Sequence, residues 1–346
     1  MKGISRLFVL GMAISATAAS AQPPDTFLPP IATLAARLAS APHFTLSNGL
    51  LTVVIYPPGD GSFYSGARFD HAGTIGSLKL NGQEFYGPWF NAIAPGVKDY
   101  LWVGSGVLAG RASSTMGPAE EFDPVGFDQA TPGGTFLLPG VGLLTRPDDK
   151  PYNHFAPYAQ ANGSDARTMT SNGNGVTFTH TVSGAGFGYV YNKTLTMVPG
   201  KPQLIISHIL RNTGAKPIVT SVYDHNFIIL NPGQGDMRVT LPFAPPQPPA
   251  ASRLAVTGNT ISWPQALEER QTGAMVMSDT PKPYDFTVTD SKTGASVRAQ
   301  ADVPASQYKL WSIKTVMAVE PYVALDIAPG AEQRWSYTYT YTPARR

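Results

Sequence analysis

The sequence predicts an all-β fold, a large antiparallel β-sandwich, and three observations carry that expectation. Short runs of alternating apolar and polar residues recur along most of the chain, from LLTVVIY (50–56) to QRWSYTYTYT (333–342), and period-two alternation marks strands buried on one face. Turn formers are abundant, with 34 glycines and 32 prolines among 346 residues. Charged residues make up only 14% of the chain, against about 25% in an average globular protein.

The elements follow in order. Residues 1–21 read as a cleaved export signal. Lys2 and Arg6 open it, an apolar run from Leu7 to Ala16 follows, and Ala19-Ser20-Ala21 forms an A-x-A site before Gln22. The run is shorter than the ~20 residues that span a bilayer, so no membrane insertion is expected and a bacterial periplasm is the expected compartment. Residues 22–43 read as a proline-rich tether (Pro23, Pro24, Pro29, Pro30) followed by a short helix, with Ile31, Leu34, Ala35 and Leu38 at helical spacing. Residues 44–346 are expected to form one domain. Strands are predicted at 50–56, 74–87, 176–184, 189–198, a hairpin over 204–230, 237–243, 274–278, 285–302, 308–327 and 333–342. Residues 91–165 are rich in glycine and proline and weakly periodic, which predicts a long irregular segment that forms a site.

The chain has no cysteine, which excludes disulfides, thiolate metal ligands, a cysteine nucleophile and a lipid-modified cysteine anchor. The net charge of +2, without a lysine or arginine run, argues against a nucleic-acid surface. Six histidines stand at 43, 71, 154, 180, 208 and 225 with no H-x-H or H-E-x-x-H spacing, so no metal site and no cofactor are expected.

Four segments carry a resemblance. The stretch LIISHILRNTGAKPIVTSVYDHNFIIL places His225 between Asp224 and Asn226 after an N-T-G turn. The opening LSNGLLTVVIYPPGDGSFYSGARFDHAGTIGSLKLNGQEFYG, the pair DFTVTDSKTGASVRAQADVP and the end AVEPYVALDIAPGAEQRWSYTYTY complete the set in matching order. Together they resemble the galactose mutarotase-like superfamily, the aldose 1-epimerases and their relatives. The resemblance implies a β-supersandwich, a sugar or oligosaccharide partner, and anomer interconversion by acid/base catalysis without a cofactor. It places His225 on the family's general acid and Glu320 on its general base, acting from opposite sides of the anomeric centre. The chain departs from the family where an H-G-G loop is usual; MGPAEEFDPVGFDQATPGGTFLLPGVGLL stands there instead.

Further candidates come from the residues themselves. Glu320 sits in the apolar strand AVEPYV, where an unpaired carboxylate is costly. Arg68 and Asp70 could grip sugar hydroxyls or form a salt bridge on a strand. Glu120 and Glu121 read as a loop carboxylate pair, for binding hydroxyls or simply solvated. His154 is the candidate substitute for the missing H-G-G histidine, and Trp89 could stack on a sugar face or fill the core. A glycan-binding protein without chemistry, and a lyase that uses the same acid/base pair for elimination, are the alternatives to an isomerase.

Overall fold

The computed structural model describes residues 34–345; the expected export signal and the tether through residue 33 lie outside the described residues. Strand accounts for 51% of the described residues and helix for 3%, which makes the fold all-β. A short helix α1 (Leu34–Ser40) leads into β1 (Phe44–Ser47), β2 (Leu51–Tyr56), β3 (Thr74–Leu80) and β4 (Gln83–Tyr86), an antiparallel four-stranded sheet in sequential order. Next come β5 (Ala92–Ile93), β6 (Tyr100–Val103) and β7 (Gly106–Ala109), a small sheet, then β8 (Gly117–Phe122) and the hairpin β9 (Thr135–Leu138) with β10 (Gly142–Thr145). The remaining strands are β11 (Ser164–Asn172), β12 (Gly175–Gly184), β13 (Phe187–Met197), β14 (Gln203–Asn212), β15 (Ile218–Phe227) and β16 (Met237–Thr240). They continue with β17 (Ala255–Thr257), β18 (Thr260–Ser262), β19 (Gly273–Ser278), β20 (Asp285–Asp290), β21 (Ser296–Ala301), β22 (Gln307–Ile313), β23 (Val316–Ile327) and β24 (Glu332–Thr342).

Two of these sheets form the sandwich. One has ten strands in the order β11-β12-β13-β14-β24-β21-β20-β16-β18-β17, the other five in the order β19-β22-β23-β15-β8. Alternation decides what lies between them. In β24, Trp335, Tyr337, Tyr339 and Tyr341 are buried while the intervening Ser336, Thr338 and Thr340 are not. This is the two-residue period of a strand with one face in the core. The same core takes Val222, Val319 and Val323 from the five-stranded sheet. Phe122 on β8 meets Trp335 on β24 edge to face at 6.4 Å. α1 packs through Leu34 against a second apolar cluster that includes Tyr56, Phe63 and Trp89.

The structure corrects three expectations. The segment 204–230 is not a hairpin: β14 pairs with β13 and β24, whereas β15 pairs with β23 and β8. Its turn carries the chain from one sheet to the other. Asn212 holds it, donating from Nδ2 to the carbonyls of Lys216 at 2.8 Å and Ile327 at 2.9 Å and accepting from Gly214 N at 3.0 Å. Alternation reveals that each strand has a buried face but not which strand it pairs with. Second, residues 91–165 contain strands β5 to β10, short ones that many glycines and prolines break up. Third, Glu120 and Glu121 lie on strand β8 instead of a solvated loop.

Candidate active site

Strand register assembles the site. β15 and β23 run antiparallel with Tyr223 opposite Tyr322, and the bridge between Ile228 and Met317 continues the same register. His225 therefore falls opposite Glu320, and directly opposed side chains on one face stand about 5 Å apart at Cβ. His225 Nε2 lies 3.3 Å from Glu320 Oε1. The neighbouring strands extend this into two rows on the outer face of the five-stranded sheet. Ala119, His225, Glu320 and Lys309 form one; Glu121, Tyr223 and Tyr322 form the other. The two groups expected on opposite sides of a substrate are thus side by side on one sheet.

Aromatic rings enclose the histidine. Phe227 stacks on it at 3.9 Å between centroids, and Phe69 and Trp311 meet it edge-on at 5.8 Å and 5.5 Å. Its Nδ1 is buried without a hydrogen-bond partner. Burial pushes the His225 imidazole well below its ordinary range, and the nearby Arg68 charge adds to the shift. The Glu320 carboxyl faces the other ring nitrogen, Nε2, and burial raises it to about 7 against the opposing pull of Arg68 and Lys309.

A charged cluster adjoins the pair. Arg68 donates from Nε to Glu121 Oε2 at 2.5 Å, from Nη2 to the Tyr223 hydroxyl at 3.2 Å and from Nη1 to Ser113 Oγ at 3.3 Å. Tyr223 donates to the same Glu121 oxygen, and His154 Nδ1 meets Glu121 Oε1 at 2.7 Å. Burial works against the Glu121 anion, but Arg68 and the bonds from His154 and Tyr223 outweigh it and hold the carboxyl at about 2. Phe155 lies against the Arg68 guanidinium at 5.0 Å, with Lys98 at 5.7 Å from its ring. Lys309 donates to the Tyr322 hydroxyl at 3.1 Å. His225, Glu320, Arg68 and Glu121 are only 5%, 7%, 7% and 6% exposed, whereas the side chain of His154 is 36% exposed and forms part of the rim.

The structure thus brings Arg68, Glu121, His154, His225 and Glu320 together. It does not bring Asp70, Glu120 or Trp89 into this cluster. Glu120 and Glu121 are neighbours on a strand and so point to opposite faces; Glu120 enters the core, fully buried, against Lys193 and His208. Asp70 faces the same core set, 3.5 Å from Lys193 Nζ, and accepts Ala72 N at 2.7 Å. Arg68 therefore pairs with Glu121 and not with Asp70. Trp89 is 3% exposed, stacks on Phe227 at 5.5 Å and donates to the Thr115 carbonyl at 2.9 Å, which makes it a support behind the site.

Tyr223, Tyr322, Trp311 and Lys309 escaped the sequence reading, yet a signal for the first two was present. Tyr223 stands two residues before His225 and Tyr322 two after Glu320, so each shares the face of its catalytic candidate. Among the described residues no group of three or more histidine or acidic side chains is arranged to hold a metal ion, and no helix is long and apolar enough to cross a membrane.

No protein-family model matches the chain, and no curated protein matches its sequence. Solved structures do resemble it. The Slr1438 protein from Synechocystis sp. PCC 6803 aligns with a TM-score of 0.51 at 10% identity, over 88% of this chain and 96% of that one. A candidate aldose 1-epimerase from Escherichia coli K12 aligns with a TM-score of 0.50 at 12% identity, over 87% and 99%. A galactose mutarotase-like protein from Lactobacillus casei ATCC 334 aligns at 0.49 and 14%, over 87% and 100%. The protein carries the galactose mutarotase-like fold.

Proposed function

We propose that the protein is an exported, sugar-active isomerase of the aldose 1-epimerase type, interconverting the anomers of a free aldose or a modified sugar. The observation that carries this reading is the His225–Glu320 pair, two proton-transfer groups 3.3 Å apart among aromatic rings. A cyclic hemiacetal presents its ring oxygen O5 and its hydroxyl O1 on the same carbon. Two neighbouring groups can therefore serve both oxygens from one side. One delivers a proton to O5 as the C1–O5 bond breaks, while the other takes the proton from O1 as the C1 carbonyl forms. Rotation about C1–C2 and the reverse transfers close the ring on the other face. Positioned proton transfer of this kind is worth about 10²–10⁴-fold in rate. Arg68, His154, Tyr322 and Lys309 lie beside the pair with donors for sugar hydroxyls, and Trp311 offers a ring face.

Anomer exchange read by NMR on a panel of free sugars tests the proposal. The protein is expected to accelerate equilibration of at least one of them. His225→Asn and Glu320→Gln are each expected to lower that acceleration by at least about 10²-fold while leaving the circular dichroism spectrum unchanged. Exchange at the full rate in both variants rejects this function. Export to the periplasm is part of the same proposal, and the mass of the mature protein recovered from that compartment, beginning at Gln22, checks it.

A further inference from the structure

His225 and Glu320 are 5% and 7% exposed, so a sugar ring cannot reach both groups while their cover stays in place. We propose that residues 153–157 are a flap over this site, hinged on the stacked rings of Tyr152 and Tyr158, latched by Phe155 on Arg68 and by His154 on Glu121, and lifted to admit the ligand.

A layered stack of side chains leads from the pair towards the surface. Phe69 meets the His225 ring edge-on at 5.8 Å. The Arg68 guanidinium lies over Phe69 at 4.5 Å and over Phe155 at 5.0 Å, so it is held between two rings, each attracting the cation through its electron-rich face. Lys98 ends the stack, 5.7 Å from the Phe155 ring. Beside it, His154 Nδ1 meets Glu121 Oε1 at 2.7 Å. The flap thus caps both members of the Arg68–Glu121 ion pair, and Arg68 in turn bonds to Tyr223, whose ring lies 6.3 Å from that of His225.

What lies beneath the flap is fixed. The strands β15, β22 and β23, which carry His225, Trp311 and Glu320, are each paired on both sides. Residues 68–70 are tied to β8 by the bridge between Phe69 and Glu121 and by Asp70 N, which donates to the Glu120 carbonyl at 2.8 Å.

The tip is held differently. Its backbone hydrogen bonds close on the tip itself. Ala156 N donates to the Asn153 carbonyl at 2.8 Å, Tyr158 N to the Ala156 carbonyl at 3.0 Å, and Asn153 N to the Tyr158 hydroxyl at 2.8 Å. At its base Tyr152 and Tyr158 stack in parallel at 5.4 Å and pack on Phe127 and Phe136, which makes a firm neck under a self-contained turn. The ties from the tip to the site run through two side chains, His154 and Phe155. Neither tie is strong. The His154 side chain is 36% exposed, where water screens and replaces such a bond, and a cation–π contact near the surface is modest. Loops held by so few contacts open locally while the core stays folded, on the microsecond-to-millisecond scale of active-site lids. Lifting frees one face of Arg68 and Glu121 Oε1 for the hydroxyls of a ligand on its way to His225 and Glu320.

The chain has no cysteine, so spin labels can be placed without competition at Pro157→Cys on the exposed tip and at Val219→Cys on the solvent side of β15. Double electron–electron resonance on the full-length protein is expected to show a dominant distance and a minor second one. Adding Phe155→Ala is expected to raise the ratio of the second to the first by about 3- to 30-fold, the worth of one cation–π contact. A single, unchanged distance in both proteins overturns the flap. The second readout is the rate at which diethyl pyrocarbonate modifies His225, followed by mass spectrometry. Phe155→Ala is expected to accelerate it while His208, 1% exposed in the core, keeps its parent rate. No acceleration at His225, or equal acceleration at His208 through general loosening, overturns the proposal. The inference rests on the isomerase reading for its ligand alone, and neither readout involves a sugar. A flap that opens in a protein without anomer exchange removes only the isomerase; exchange in a protein whose tip never moves removes only the flap.

Discussion

Glu320 and Glu121 project from the same sheet face, yet their surroundings move their carboxyls in opposite directions, and the difference reaches stability. Glu320 is raised from an ordinary 4.5 to about 7. A carboxyl raised on folding leaves stability intact below its unfolded value and lowers it as pH climbs through the folded one. The full penalty above neutrality is on the order of 3 kcal/mol. Glu320→Gln is therefore expected to melt at a higher temperature than the parent at about pH 8 and at nearly the same temperature at about pH 4, as a thermal scan at both values would show. A variant less stable than the parent at the higher pH contradicts this account. Glu121 runs the other way. Held at about 2 against an ordinary 4.5, it contributes stability that is complete above 4.5 and is lost as pH falls towards 2.

At the scale of elements, the connection from β14 to β15 decides where His225 ends up. It is packed so closely that a Cβ on Gly214 would lie 2.5 Å from Gly188 N and 2.8 Å from the Gly186 carbonyl. Backbone atoms cannot step aside cheaply. Gly214→Ala is expected to cost about 1–3 kcal/mol by overpacking, measured by urea unfolding; a neutral result would mean that the turn yields. This region also shows how far sequence goes. The two-residue period along β14, β15, β23 and β24 was legible, and the resemblance singled out His225 and Glu320, which the structure places 3.3 Å apart. Which strands lie beside one another was not, because alternation is a property of one strand and pairing a property of two. Glu120 and Glu121 were misplaced for a related reason. Charges next to Gly117 and Pro118 read as a loop, and only Lys193 and Arg68, distant in sequence and close in space, reveal a strand with a carboxylate on each side.

For the whole molecule, the space between the two large sheets is not uniformly apolar. Lys193, Glu120, His208, Asp70 and Asp224 meet there, all fully or almost fully buried. Tyr339 donates to Asp224 and, at 2.9 Å, to Asn226. Lys193 joins the ten-stranded sheet to Glu120 of the five-stranded one. Burial opposes charge at Glu120, but Lys193 and His208 outweigh it and hold that carboxyl at about 2. Lys193→Met leaves the Glu120 anion with only the His208 bond at 2.8 Å and is expected to destabilise by about 3–5 kcal/mol. The double variant Lys193→Met/Glu120→Leu is expected to recover much of that loss, and urea unfolding of both measures it.

The adjacent glutamates of β8 have one more consequence, for the alignment of the strand itself. Were β8 to slide by one residue in one direction, Phe122 would take the place of Glu121 and Arg68 would lose its nearer counter-ion. A slide the other way would put Ala119 where Glu120 stands and strand Lys193. Each displacement takes from one buried cation its nearest carboxylate, leaving Arg68 only Asp99 at 3.9 Å or Lys193 only Asp70 at 3.5 Å. The Glu-Glu dipeptide is thus a two-way stop, with a lysine guarding one direction and an arginine the other.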